Sequence, residues 1–171
     1  IEADTLDLFK KIKFTNSKEN EIFYNYQYFL GNKKEEIRKL TEEKKNATSE
    51  DEKRTLSDKM KSIDESVKSF SKQIIDQNKN SFVATFIRAT QEIEVPDPPK
   101  DAKGNVTDSF FQYRYYRTHY FDNFNISDPR LLRTPLYEDK LLTYVDKVIP
   151  QIPDTIMFEV DKIIEKSRTS P

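Results

Sequence analysis

The sequence predicts an all-α fold, a helical bundle with a long charged antiparallel helical hairpin. The 171-residue chain contains only two glycines, Gly31 and Gly104, which is too few for a turn-rich β fold. Apolar residues recur at intervals of three and four over most of its length, the spacing of a buried helical face. Polar capping residues precede several of these segments. We therefore expect five to seven helices.

The composition excludes several kinds of function. Twenty-nine basic and thirty acidic side chains give a net charge of -1 and a pI near 6.0, without the basic surface that nucleic acid or an anionic membrane requires. The absence of cysteine excludes a disulfide framework, a thiolate nucleophile and a cysteine zinc site. The chain begins at Ile1 rather than Met, so we expect a piece of a longer protein.

The expected organisation is a lead-in followed by one helical domain. Residues 1–16 form a lead-in from a preceding domain, and their apolar spacing fits a helix or a strand equally well. The domain covers residues 17–168. Within it, a hairpin and a third helix occupy residues 17–94, a proline-rich linker occupies 95–106, and the helices of an aromatic core occupy 107–168.

The first helix of the hairpin is expected to run to about Lys45. Asn16, followed three residues later by Glu19, resembles a capping box. Gly31 weakens this helix and is a candidate for a kink or a break.

The second helix carries the strongest periodic signal in the chain. Ser49 and Glu52 form an S-x-x-E start, and the helix is expected over residues 50–78. Its apolar residues follow intervals of four and three, which is a heptad seam: Leu56, Met60, Ile63, Val67, Phe70 and Ile74. A seam this narrow covers one partner, and the short connection favours the antiparallel hairpin within one chain over an intermolecular coiled coil.

Residues 80–94 are expected to contain the third helix. It starts after Asn80 or Ser81, and its apolar positions are too widely distributed around the axis for a seam. We therefore expect it to be covered on two sides, with these residues in its core: Phe82, Val83, Phe86, Ile87 and Ile93.

The segment from Asp108 to Asn125 is the predicted core helix, because it concentrates aromatic residues. At 100° per residue, six of them fall on one buried stripe: Phe110, Tyr113, Tyr116, Tyr120, Phe121 and Phe124. Arg117 lies within the stripe and needs stacking or an acidic partner, since an unpaired buried guanidinium is costly. Asp128 and Asp139 are the first candidates for that partner.

The candidate site is a binding or core cluster within this helix: Tyr113, Tyr116, Arg117, His119 and Tyr120. Tyrosine and arginine together suit an anion or a carbohydrate, but helical spacing favours core packing. His119 falls on the polar side of the helix, and its i, i+3 neighbour Asp122 makes an ordinary surface pair without a nucleophile. We expect no catalytic residue, cofactor or metal.

Proline marks the remaining helices. Ser127-Asp128-Pro129 and Thr134-Pro135 each predict a helix start, and the second helix should run to about Ile149. Its expected buried face contains Tyr137, Leu141, Tyr144, Val145 and Val148. Pro150 and Pro153 separate it from a last helix with the buried face Ile156, Val160, Ile163 and Ile164.

Three segments together resemble a bacterial family. They are SKENEIFYNYQYFL at 17–30, NSFVATFIRA at 80–89 and YRYYRTHYFDNFNISDPRLLRTPLYEDKLLTYVDKVIPQIPD at 113–154, within which HYFDNFNISDPRLLRTP at 119–135 is the most specific. They are similar to the helical domain of unknown function found N-terminal to the thioredoxin-like domain in thiol-disulfide oxidoreductases of Gram-negative bacteria.

The resemblance implies a non-catalytic accessory or spacer domain. Its partner would be a thioredoxin-fold domain in the same parent chain, which would be periplasmic or in the cell envelope and held to the membrane only through a lipid anchor outside this piece. It allows a homo-oligomer and implies no nucleic-acid partner. The family's Cys-x-x-Cys motif maps onto no residue here. The alternative is an independent ligand- or protein-binding helical module that uses the tyrosine and arginine cluster.

Overall fold

A computed structural model describes residues 12–168, which divide into two compact units. The hairpin unit extends to Thr85, and the aromatic unit begins at Phe86. The all-α prediction is confirmed: the described residues contain six α-helices and no strand. The predicted lead-in falls mostly outside the described residues, and the single domain over residues 17–168 stays a prediction.

The hairpin unit is built on two long helices, α1 (Lys18–Asn46) and α2 (Glu50–Gln77). They pack antiparallel within one chain, as predicted. The Phe70 ring lies 4.3 Å from that of Phe29 and 6.3 Å from that of Tyr26. The Tyr26 hydroxyl also bonds the Ser71 hydroxyl at 3.2 Å.

The heptad seam on α2 is confirmed by burial. Leu56 and Ile74 are buried, the other four seam residues are half-buried, and most of the residues between them are exposed. Gly31 neither breaks nor interrupts α1, and no atom lies within 4 Å of the position where its Cβ would be. Of the two alternatives at Gly31, the break is therefore wrong, and the kink stays a prediction.

The predicted capping box at the start of α1 is also wrong. Asn16 has φ 59°, in the left-handed region, whereas an N-cap residue is extended. The helix instead begins after Ser17, whose hydroxyl accepts from Asn20 Nδ2 at 2.8 Å. The Glu19 carboxylate accepts from the backbone N–H of Phe82, 2.9 Å away and 63 residues along the chain.

The next two helices each begin with a serine that accepts a hydrogen bond from a backbone N–H of the first turn. Ser49 caps α2 by accepting from the Glu52 N–H at 3.4 Å. Helix α3 covers Phe82–Thr90, and Ser81 Oγ accepts from the Ala84 N–H at 3.1 Å. Buried residues lie around most of the α3 circumference, as predicted: Val83, Ala84, Ile87 and Ala89. Ile93, expected in this helix, lies beyond its end.

The linker over residues 95–106 is non-helical, as predicted, and contains a small closed loop. An isolated antiparallel bridge joins Lys100 and Val106. The Asp101 carboxylate accepts from the N–H groups of Lys103 and Asn105, each at 2.8 Å. Gly104 has φ 85°, a conformation that glycine adopts without strain.

The aromatic unit contains three further α-helices. They are α4 (Phe111–His119), α5 (Pro135–Thr143) and α6 (Pro153–Arg168). A five-residue π turn, Tyr144–Val148, continues α5, and a short 3-10 turn, Leu131–Arg133, precedes it. One buried cluster joins the turn after α4, the π turn and α6: Tyr120, Tyr144, Val148 and Ile149, with Phe121, Ile156 and Ile163 against it.

The predicted core helix from Asp108 to Asn125 is too long at both ends. The Asp108 carboxylate accepts from the Phe110 N–H at 3.1 Å and forms a turn before α4. After His119 the chain turns again, since the Asp122 N–H reaches the His119 carbonyl. The buried stripe consequently holds only at its C-terminal half: Tyr120 and Phe124 are buried, whereas Phe110 is 67% exposed.

The exposure of three other predicted core residues is a further correction. Tyr113 and Tyr116 are 42% and 37% exposed. Ile164 of α6 is exposed, and the buried position on that helix is Glu159.

The two proline-marked starts differ. Pro135 is the first residue of α5, as predicted, although the Thr134 hydroxyl donates to the Leu131 carbonyl at 2.7 Å rather than capping the helix. Pro129 precedes only the 3-10 turn, so the predicted helix start there is wrong. The Ser127 hydroxyl bonds Asn125, and Asp128 accepts the Arg130 N–H instead.

Among residues 12–168, no helix combines the length and the apolar character that crossing a membrane requires.

Candidate functional site

Arg117 has an acidic partner on another helix, but it is neither of the two aspartates expected. Its Nη2 donates to Glu159 Oε1 of α6 at 2.6 Å. The Asp128 carboxylate accepts a hydrogen bond from the Arg130 side chain at 2.6 Å. This bond holds the pKa of the Asp128 carboxyl below its usual value. Asp139 is exposed on α5. Because the Arg117 side chain is 30% exposed, the guanidinium lies at the edge of the aromatic core rather than inside it.

Glu159 is the buried charge around which this site is organised, and it is only 6% exposed. Besides Arg117, the Tyr144 hydroxyl donates to it at 3.0 Å and Lys162 Nζ at 3.4 Å. Burial acts to raise the pKa of Glu159, but the hydrogen bonds from Arg117 and Tyr144 outweigh it and leave the pKa lowered. The carboxylate therefore stays ionised and paired.

Tyr144 reaches Glu159 from the first position of the π turn. The Ile149 N–H bonds the Tyr144 carbonyl at 3.1 Å, five residues back, instead of the four of an α-helix. Side chains satisfy other carbonyls of this turn: the Tyr113 hydroxyl donates to Val148 at 3.0 Å, and Gln151 donates to Val145 at 2.7 Å. Burial is the main cause that raises the pKa of Tyr144 to about 12, and the hydrogen bond to Glu159 is the second.

Tyr120 connects the predicted cluster to this network. Its ring lies 5.5 Å from that of Tyr116 and 5.1 Å from that of Tyr144. Its hydroxyl donates to the Lys140 carbonyl at 3.2 Å, and Lys140 Nζ lies 5.1 Å from the ring centre. Burial raises the pKa of Tyr120 to about 12 and lowers the pKa of the Lys140 ammonium.

His119 makes its contacts elsewhere. Its ring packs on Tyr115 at 4.1 Å, and Nδ1 lies 2.6 Å from Asp122 Oδ2. The structure therefore joins Tyr113, Tyr116, Tyr120 and Arg117 to the elements around Tyr144 and Glu159, and it places His119 in a separate surface pair.

Sequence reasoning missed Glu159 and the polar role of Tyr144. A signal for Glu159 was present, because it lies three residues after Ile156 and four before Ile163, within the apolar face of α6. An acid on an apolar stripe and an arginine on an aromatic stripe are a natural pair. No local pattern marks the π turn that orients Tyr144.

A groove of about 740 Å³ opens beside this network. Helix α4 and the turn after it contribute Arg114, Arg117 and Phe121, and α6 contributes Phe158, Lys162 and Ile163. The arrangement offers an apolar floor next to cations, which suits binding. Across residues 12–168, no set of three or more His, Cys, Asp and Glu side chains is arranged to hold a metal ion.

Comparison with protein families gives a match. The sequence model of a domain of unknown function, DUF5106, matches residues 48–170, which include α2 and the described aromatic unit. Comparisons with curated proteins and with solved structures give no match. Since the matched residues make up most of the chain, it belongs to the DUF5106 family of domains of unknown function.

Proposed function

We propose that this chain is a non-catalytic accessory or spacer domain of a thioredoxin-like thiol-disulfide oxidoreductase, periplasmic or in the cell envelope and lipid-anchored outside this piece. It would position or dimerise the redox domain of the parent chain, or contact its substrate. The sequence segments that resemble such proteins support the proposal, and the contacts of the aromatic unit and the form of the hairpin add to it.

The observation that carries the non-catalytic part is the use of the candidate cluster's polar groups in the fold. Within the cluster, Arg117 is bonded to Glu159, Tyr113 to the carbonyl of Val148, Tyr120 to that of Lys140, and His119 to Asp122. A general acid or base needs a proton that it can exchange with a substrate. Here hydroxyl and guanidinium groups stabilise helix contacts instead.

The hairpin supports the spacer part. At 1.5 Å per residue, the 29 residues of α1 extend about 44 Å. Its surface is charged and solvated: Arg38 bonds Glu35 at 2.7 Å and Glu42 at 3.0 Å on the outside of the helix. A long arm of this kind can separate two domains or reach a partner without a deep interface.

The first test is the parent reading frame, in which we expect a Cys-x-x-Cys motif within a thioredoxin-like segment after this domain. If no such motif follows, the proposal fails at once.

The second test shortens the arm in the full-length parent protein. Deleting residues 36–42 and 57–63 removes one heptad from each helix and preserves the seam. We expect reduction of a small synthetic disulfide to be unchanged and reduction of a protein disulfide to fall. Equal activity of the parent and the shortened protein on both substrates would contradict a positioning role. Arg38→Ala, on the exposed face of the arm, is the control for a local surface change.

A further inference from the structure

The groove between α4 and α6 has the size of a small-molecule site. Its volume of about 740 Å³ lies within the range of protein pockets that bury organic ligands. All the groups that line it belong to the aromatic unit, and the network around Glu159 fixes one wall.

The apolar part of the groove is unusually accessible. Phe158 is 59% exposed on α6, and Phe121 and Ile163 lie deeper, half-buried against the core. An aromatic ring with most of its surface in water gains about 25 cal/mol for each Å² that a ligand covers.

A cation lies directly beside that ring. Lys162 Nζ is 4.2 Å from the centre of the Phe158 ring, and the Lys162 side chain remains half-exposed. Arg117 also lines the groove; its Nη2 donates to Glu159, and a guanidinium carries five N–H donors in all. Two cations therefore lie next to the apolar surface of the groove.

The acids of the groove do not cancel this character. Glu159 is buried and already bonded by Arg117, Tyr144 and Lys162. Asp161 and Glu165 also line the groove, but its four basic residues outnumber its three acids: Arg114, Arg117, Lys162 and Lys166 against Glu159, Asp161 and Glu165. A charge interaction with the less exposed Arg117 is screened less.

We propose that this groove binds a small amphipathic organic anion, with its apolar body against Phe121, Phe158 and Ile163 and its anionic group at Lys162 and Arg117. The inference goes beyond the accessory role proposed above and does not depend on it, because the site lies wholly within this chain.

The test compares two fluorescent probes of similar shape, anilinonaphthalene sulfonate and its uncharged parent N-phenylnaphthylamine. We expect the sulfonate to bind saturably to the purified chain and more tightly than the uncharged probe. Lys162→Met and Phe158→Ala should each weaken sulfonate binding by about tenfold, which corresponds to about 1.4 kcal/mol.

Matched controls lie outside the groove. Lys147→Met removes an exposed lysine from the π turn, and Met157→Ala truncates the exposed residue next to Phe158. Both variants should bind the sulfonate as tightly as the unsubstituted chain does. Circular dichroism of each variant separates loss of the site from loss of the fold, and Phe158 and Lys162 are exposed enough that the helices should persist.

Three results would overturn the proposal. They are the absence of saturable sulfonate binding, equal affinity for the two probes, and equal effects of the groove variants and their controls. None of these results bears on a redox partner, and a parent chain without Cys-x-x-Cys would leave the groove experiment unaffected.

Discussion

The two units are stabilised in different ways. The hairpin unit distributes its contacts along a narrow seam in which most side chains remain half-buried. The aromatic unit concentrates its contacts in a deep aromatic cluster and one buried, hydrogen-bonded carboxylate. Single substitutions should therefore have large effects in the aromatic unit and smaller ones in the hairpin.

The largest effect is expected at Phe124, which is 2% exposed. Phe124→Ala should lower the free energy of unfolding by about 4 kcal/mol, through lost apolar burial and the cavity left behind. Phe110→Ala, at a ring that was also predicted to be in the core, should cost under about 0.5 kcal/mol. Urea denaturation measures both. Similar losses at the two positions would show that the exposure of Phe110 is wrong.

Arg117→Ala should rank next, at about 3 kcal/mol. Glu159 would lose its closest partner while buried, and the cost is reduced because the arginine itself is partly exposed. Arg117→Met keeps most of the side-chain volume and should cost less. If Arg117→Ala unfolds like the parent but the chain loses sulfonate binding, the residue serves the groove rather than the fold.

The pH dependence of the unfolding free energy tests the role of Glu159. The folded pKa of Glu159 is lowered, so its contribution to stability is fully present above the unfolded value, near 4.5, and is lost as pH falls through the folded value. We expect the unfolding free energy to decrease with acid in that range, and the decrease to be smaller in Glu159→Gln. An identical acid dependence in both proteins would assign the effect to other carboxylates.

Val67→Asp should cost about 2 kcal/mol, since it places a charge on the half-buried seam of α2. Ser69→Asp, at a nearby exposed position, is the control because it makes the same change of one charge. Thermal unfolding followed by circular dichroism measures both variants. A melting temperature that rises with protein concentration would favour the intermolecular coiled coil over the hairpin.

The smallest effect is expected at Tyr26→Phe, about 1 kcal/mol. The substitution removes the bond to Ser71 and retains the ring contact with Phe70. Ser71 keeps its bond to the Val67 carbonyl at 2.8 Å, so its hydroxyl is not left without a partner. Tyr28→Phe, at a more exposed tyrosine on the same helix, should leave the chemical denaturation midpoint unchanged.

The same contrast explains how much could be predicted from the sequence. The hairpin depends on a local repeat and on the Ser49 cap, and both are visible within a few residues. The aromatic unit depends on contacts between distant positions, such as Arg117 with Glu159, and on turns that periodicity does not encode. Helix α4 was predicted too long because its aromatic spacing continues through the turn after His119.

The predicted capping box of α1 was wrong for a related reason. Glu19 has the spacing of a local cap, but its carboxylate reaches the Phe82 N–H across 63 residues. The sequence pattern correctly indicated that Glu19 caps a helix. The fold shows that the helix is α3, which begins at Phe82, and not α1.

The π turn gives the chain one residue more than a regular α-helical turn would place between two buried side chains. In a regular α-helix, Tyr144 and Ile149 would point roughly 140° apart, whereas both are buried in one cluster. Deleting a single exposed residue such as Asp146 would place Ile149 four residues after Tyr144, roughly 40° away in a regular α-helix, so that both side chains would still face the cluster. A one-residue deletion here should therefore be less harmful than a one-residue deletion within the heptad seam of α2, which would shift the seam by roughly 100°.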